Sequence, residues 1–129
     1  MMIQSDTIRQ AIRSKLTNGT SLKTIRGAEF VVESVSPNEM VFRLGEKKIR
    51  VAIHMNAVDD LVKEFKYLPP GGWMKIGATT GQPKPGTLAA VVRPHTQGAS
   101  SASQFAAVLA HLEVAEINPS RPARLRLII

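Results

Sequence analysis

The chain has 129 residues, with 17 Lys and Arg against 10 Asp and Glu, which gives a formal net charge of +7 at pH 7. This length accommodates one domain, or two small lobes that share an interface. The absence of cysteine excludes disulfides, thiolate metal sites and a cysteine nucleophile. No apolar run approaches the roughly 20 residues of a membrane-spanning helix, and residues 1–6 lack the features of a secretory signal. We therefore expect a cytoplasmic protein without a membrane partner.

The positive charge favours polyanionic partners such as nucleic acid. The same composition also fits a basic protein whose charge serves solubility, or a subunit that docks on an acidic partner. The basic residues are spread along the chain and form no basic tail. Any cationic face must therefore be assembled by folding.

Residues 1–55 are predicted to form a lobe with one helix and a three-stranded antiparallel meander. Ile8, Ile12 and Leu16 recur at helical spacing, and Asn18-Gly19 ends the helix. Three segments with strand character follow and are separated by tight turns. These segments are residues 28–34, 40–44 and 49–54.

Residues 56–129 predict a second lobe. An apolar stripe indicates a helix over 56–68, and a short strand is expected near 73–78. Residues 87–92 fit a strand or a helix by pattern alone. Ser101 and Gln104 fit a capping box, in which the serine hydroxyl accepts from a backbone amide and the glutamine reaches back. This box would begin a helix over 101–113, followed by strands at 114–117 and 124–129 that enclose a basic loop.

The order of elements in 56–129 resembles a winged helix-turn-helix. The run from Phe105 to Leu127 is similar to a recognition helix that leads into a wing, with the basic segment Asn118-Pro-Ser-Arg-Pro-Ala-Arg124 at the hairpin tip. The resemblance implies double-stranded DNA binding, regulation of transcription and a homodimer on two half-sites. The expected fold class is α+β, with an N-terminal helix plus a three-stranded antiparallel meander, followed by a winged-helix-like lobe.

The resemblance assigns the DNA contacts to helix 101–113 and to wing 118–124. The helix face opposite the apolar stripe carries short polar side chains suited to a major groove, and Ala107 lies on this same face. In a major groove, glutamine can pair with adenine. Arginines of the wing would reach phosphates or a minor groove, which makes affinity fall steeply with salt. A core helix followed by a surface hairpin fits the same residues without any DNA contact. The predicted contacts are Ser100, Ser103, Gln104 and His111 from the helix region, and Arg121, Arg124 and Arg126 from the wing region.

A second basic group surrounds a turn of the predicted meander. It consists of Arg43, Lys47, Lys48 and Arg50. These side chains could form an accessory nucleic-acid surface. Alternatively, they keep the sheet soluble and prevent strand pairing with other molecules.

Aromatic residues make up only 5% of the chain, so a base-stacking platform for single strands is not expected. Trp73 and Tyr67 are the single tryptophan and the single tyrosine. We expect both rings to pack at the junction between the two lobes.

Catalytic signatures are sparse. Glu46-Lys47-Lys48 contains the Glu-x-Lys fragment of metal-dependent nucleases, which also need an upstream carboxylate, here Glu33 or Glu39. Residues 72–79 have the glycine spacing of a P-loop, but Ala78 replaces its lysine. The histidines lack zinc-ligand spacing.

We predict no enzyme activity, cofactor or metal, although the Glu-x-Lys fragment keeps a nuclease possible. The sequence is also compatible with a protein-interaction subunit, or with a DNA-binding accessory of a larger enzyme such as a nuclease system.

Overall fold

The computed structural model of the chain describes residues 5–69, 71–77, 82–97 and 101–128. The N-terminal part folds as a helix followed by an antiparallel meander, which confirms the mixed α+β class and the predicted helix-then-strands order. A short strand, β1, precedes the three predicted strands. The elements are α1 (Ser5–Lys15), β1 (Ser21–Lys23), β2 (Glu29–Val35), β3 (Glu39–Leu44) and β4 (Ile49–His54).

The C-terminal part alternates helices with short strands. Its elements are α2 (Asn56–Lys66), β5 (Met74–Lys75), α3 (Leu88–Val92), a single 3-10 turn (Arg93–His95), β6 (Thr96–Gln97), α4 (Ala102–His111), β7 (Ala115–Asn118) and β8 (Arg124–Leu127). The segment that fitted either a strand or a helix is therefore helical. Its first turn is stabilised by Thr87, whose hydroxyl accepts a hydrogen bond from the Ala90 amide at 3.2 Å. Within the described ranges, no helix is long and apolar enough to cross a membrane.

The strands form two antiparallel sheets. The larger has the order β1-β2-β3-β4-β6, and the smaller has the order β5-β8-β7. β6 comes from the C-terminal part of the chain, yet it pairs with β4 through Ala52 opposite Gln97 and Ile53 opposite Thr96. The two parts of the chain are therefore joined by backbone hydrogen bonds as well as by side-chain packing.

One contiguous core extends through both parts. In the larger sheet, Phe30 and Phe42 lie edge to face with ring centroids 5.4 Å apart, which is a favourable aromatic arrangement. Ile12 of α1 and Phe105 of α4 are both fully buried in the same core. A single core of this kind means that the position of α4 depends on residues from both ends of the chain.

Two local predictions are wrong. The capping box does not form, because the Ser101 hydroxyl lies 3.0 Å from the Thr96 hydroxyl and makes no cap hydrogen bond with the amides of α4. Tyr67 is 86% exposed, so it does not pack between the lobes. Trp73 is half-buried, and the guanidinium carbon of Arg126 lies 4.7 Å from its ring centroid. The indole therefore packs against a cation of β8.

An ion pair connects α1 to α2. Arg9 donates from Nη2 to Oδ2 of Asp59 at 2.6 Å, and from Nε to Oδ1 at 3.2 Å. This guanidinium lowers the pKa of Asp59 below its ordinary value, against a smaller opposing effect of burial. Since the folded-state pKa is the lower one, the pair stabilises the fold above the ordinary carboxyl pKa, and this stabilisation is lost as the pH falls through the folded-state value.

Replacement of Arg9 by methionine should therefore flatten the acid limb of the stability profile. At neutral pH we expect a loss of less than about 1 kcal/mol, because both side chains are partly solvated. Urea unfolding of the wild-type and Arg9→Met proteins between neutral pH and pH 3 measures this effect. Curves that stay parallel down to pH 3 would contradict the assigned role of Asp59.

Candidate nucleic-acid interface

A groove of about 750 Å³ lies between the two parts of the chain. One wall is the β1–β2 turn, residues 24–28, and the opposite wall is formed by residues 119–123 of the wing, between β7 and β8. The end of β5 and the first turn of α4 complete the lining. The volume lies within the range of about 300–1,000 Å³ that ligand-binding clefts occupy.

The β1–β2 turn is held in place by its own hydrogen bonds. The amide of Thr24 donates to the carbonyl of Ala28 at 2.9 Å, and the amide of Gly27 donates to the carbonyl of Thr24 at 2.9 Å. The Thr24 hydroxyl accepts a further bond from the Ala28 amide at 3.2 Å. Arg26 is exposed within this turn and lines the groove.

The opposite wall is built on the small sheet. Lys75 of β5 pairs with Arg124 of β8, and the next amide, from Ile76, donates to the carbonyl of Ala123 at 3.0 Å. At the start of the wing, the side-chain oxygen of Asn118 accepts from the Ser120 amide at 3.1 Å. Asparagine commonly shapes turns through such a bond. These contacts fix the base of the wing, and Arg121 lies exposed in it.

Two predicted contact residues of α4 reach the groove. Ser103 and Gln104 are half-buried and lie in the first turn of the helix, where they line the groove beside the wing. The side-chain oxygen of Gln104 is buried and has no hydrogen-bond partner among the described residues.

The groove is cationic. Arg26, Lys75 and Arg121 line it from three separate elements, and the lining residues that the structure describes include no Asp or Glu. In the described part of the chain, none of these three cations makes an ion pair, and neither does the neighbouring Arg124. A cleft lined by charges of one sign concentrates the electrostatic potential and attracts polyanions.

Two predicted contact residues are not part of this site. Arg126 donates to Glu116 at 2.9 Å and packs over Trp73, so its guanidinium is held by the protein itself. His111 is exposed, but it lies at the far end of α4, about 12 Å along the axis from Ser103 at 1.5 Å per residue. Ser100 lies outside the described residues.

The helix face that was predicted to be open is closed at its centre. Ala107 is only 8% exposed, and α4 packs against β1 of the larger sheet. An alanine fits a buried helix face as well as an exposed one, so its identity does not indicate this contact. Only the first turn and the last two residues of α4, Ala110 and His111, are therefore accessible from this face.

The four residues of the accessory basic group differ in their ion pairing: the two arginines are paired with carboxylates, and the two lysines are exposed in a turn. Arg43 donates to Glu33 at 2.7 Å, and Arg50 lies 3.9 Å from both Glu33 and Glu39. Arg43 and Arg50 are direct cross-strand neighbours on β3 and β4, so the two carboxylates also offset the repulsion between like charges placed opposite each other. Lys47 and Lys48 are exposed in the turn between those strands. Carboxylates thus neutralise the two arginines, while the two lysines remain open to solvent.

The acidic residues considered for catalysis are engaged in contacts with basic side chains. Glu33 and Glu39, the possible metal-binding carboxylates, face the arginines of the sheet. Asp60 lies 2.6 Å from the Nε2 atom of His95 and joins α2 to the 3-10 turn. In the residues that the structure describes, His, Asp and Glu side chains nowhere gather in a group of three that could hold a metal ion.

Arg26 and Lys75 are the cationic groove residues that sequence reasoning missed. Arg26 precedes a turn glycine, which marks it as an exposed loop residue. Nothing in the sequence, however, indicates that this turn faces a loop at the other end of the chain. Comparisons with protein-family models, with curated proteins and with solved structures give no match for this chain.

Proposed function

We propose that this protein binds double-stranded DNA and acts as a regulator of transcription, with a homodimer placing two copies on two half-sites. The observation that carries the proposal is the groove beside the wing, which combines unpaired cations with a lining free of carboxylates in its described part. Phosphate contacts of this kind supply most of the sequence-independent affinity of DNA-binding proteins.

The arrangement of elements supports the same proposal. From α2 to β8 the order is helix, strand, helix, helix, strand, loop and strand, apart from the two-residue β6 that joins the other sheet. The helical state of Leu88–Val92 supplies the second helix of that order. The hairpin strands β7 and β8 join β5 in one sheet, which gives the wing a rigid base.

In this proposal the wing contacts the phosphates of the DNA, and the first turn of α4 contacts the bases. Arg121 and Arg124 bind phosphates, which positions the protein but carries no sequence information. Ser103 and Gln104, which line the groove beside the wing, are the side chains of α4 placed to approach a base edge. Base contact is confined to this end of α4, because the middle of the helix face is buried.

The wing is tested by changing Arg121 and Arg124 together to alanine. Each phosphate contact contributes about 0.9 to the slope of log K against log salt for B-form DNA, so the double variant should lower the magnitude of that slope by about 1.8. Affinity should fall by a similar factor for all sequences. Fluorescence anisotropy with a labelled duplex at several salt concentrations measures both quantities.

A double change of Arg13 and Lys15 to alanine is the matched control. Both side chains are exposed on α1, neither lines the groove, and the change in net charge is the same. The control should keep the wild-type slope. An equal fall in slope for both variants, or no fall for the wing variant, would remove the wing from the proposal. The absence of salt-dependent binding by the wild-type protein would end it.

A further inference from the structure

We infer that the N-terminal lobe is a second DNA-contacting element, in which Arg26 binds a backbone phosphate of the same duplex that the wing holds. The inference rests on the proposed function and extends it to a part of the chain outside the region that resembles a winged helix. One stretch of sugar-phosphate backbone would then lie in the groove, between the β1–β2 turn and the wing.

The geometry places Arg26 and Arg121 on facing walls of a single groove. Neither wall depends on the ligand for its shape. The β1–β2 turn is fixed by backbone hydrogen bonds and by the buried side chain of Thr24, while the wing is anchored by the pairing of β8 with β5 and β7. A phosphate chain that enters the groove would meet cations on both sides without a large rearrangement, which limits the free energy lost to ordering.

The lining suits the backbone of DNA better than its bases. Hydroxyl groups come from Thr24, Ser103 and Ser120, and small or aliphatic surfaces come from Ile25, Ile76 and Ala123. No aromatic ring is present in the described lining, whereas proteins that hold single strands through their bases rely on stacking against such rings. Hydroxyls and cations are the groups that contact phosphates and sugars.

Arg26 also differs from most arginines of the N-terminal lobe. Arg9, Arg43 and Arg50 each lie within 4.0 Å of a carboxylate, which neutralises part of their charge. Arg26 has no such partner in the described chain and lies in the groove. Arg13 is likewise exposed and without an ion pair among the described residues, but it lies outside the groove. These two arginines therefore form a natural pair of test and control.

The first test compares Arg26→Ala, Arg26→Lys and Arg13→Ala in salt titrations of duplex binding. Arg26→Ala should lower the magnitude of the log K against log salt slope by about 0.9, the contribution of one phosphate contact. Arg26→Lys should keep the wild-type slope, because lysine also binds phosphate as a point charge. Arg13→Ala should keep it as well. A wild-type slope for Arg26→Ala, or the same fall for Arg13→Ala, would overturn the inference.

The second test locates the DNA directly. Because the native chain contains no cysteine, single cysteines can be introduced as Ala28→Cys, Ser120→Cys and, as a control on α1, Gln10→Cys. An iron chelate attached to each cysteine cleaves nearby DNA backbone by generating hydroxyl radicals. Residues 28 and 120 line opposite walls of the groove, and Gln10 is exposed outside it.

We expect cleavage at neighbouring backbone positions from residues 28 and 120, and background cleavage from residue 10. Cleavage from residue 120 alone would overturn the inference and leave the proposed function in place. Failure of the wild-type protein to bind any duplex at low salt would overturn the proposed function, and the inference with it. The two tests thereby separate a missing second contact from a missing activity.

Discussion

Replacement of Phe105 by alanine is expected to lower the free energy of unfolding by about 3–5 kcal/mol, the usual loss when a buried phenylalanine is truncated. Phe105 is fully buried and belongs to the core that both parts of the chain share. The loss combines the lost burial of the ring with the cavity that remains, because the surrounding side chains relax only partly. A chain of this size is stable by only about 5–15 kcal/mol, so the effect is a large fraction of the total.

Urea unfolding measures this loss through the shift of the transition midpoint at an unchanged slope. The control is His111→Ala on the same helix, because His111 is exposed and its truncation should change stability by less than about 0.5 kcal/mol. If Phe105→Ala lost less than about 1 kcal/mol, the apolar face of α4 would not be packed in the core. The orientation of Ser103 and Gln104 toward the groove would then be wrong as well.

The periodic elements could be predicted from the sequence. The spacing of Ile8 and Ile12 identified the buried side of α1, and that of Phe105 and Leu109 identified one of the buried sides of α4. All four side chains are fully buried. This agreement has a simple cause. A surface helix buries one stripe whatever it packs against, so the repeat of apolar residues alone indicates the buried face.

Contacts between distant segments could not be predicted in the same way. α4 packs against β1, and Ala107 is buried in the fold, although a small side chain beside polar neighbours fits an exposed face equally well. Ser101 fits a capping box in sequence. In the structure its hydroxyl hydrogen-bonds to the hydroxyl of Thr96 instead of to an amide of α4. In both cases the local sequence allows two arrangements: an exposed or a buried Ala107, and a capping or a non-capping Ser101. Contacts with residues elsewhere in the fold decide between them.

The charged residues illustrate the same limit. Arg121, Arg124 and Arg126 are close together in the sequence and were predicted to act alike. Strand pairing places Arg126 directly opposite Glu116, where it forms an ion pair, while Arg124 lies opposite Lys75 in β5. Cross-strand register therefore decides which cation remains available for an external anion, and register is not visible in the composition of the hairpin.

Replacement of Gly77 by alanine is the second large effect that we expect, with a loss of about 2–5 kcal/mol. Gly77 has a φ of +93°, a conformation in which a side chain costs about 1–2 kcal/mol. A Cβ atom at this position would also lie 3.1 Å from the Cβ atoms of Thr87 and Ala89, and overpacking of this kind typically costs about 1–3 kcal/mol more. These neighbours have little freedom to move, because Thr87 caps α3 and the Ala89 amide donates to the Ile76 carbonyl at 2.9 Å.

Gly19→Ala separates the two costs. Gly19 has a φ of +87°, but an added Cβ atom would have nothing within 4 Å, so this variant should lose only about 1–2 kcal/mol. Urea unfolding of both variants gives the difference in free energy, which reports the crowding of residue 77 against Thr87 and Ala89 alone. Equal losses at residues 19 and 77 would mean that the chain just after β5 does not approach the start of α3 this closely. In that case the wall of the groove at residues 75–77, and with it the position of Lys75 beside the wing, would have to be revised.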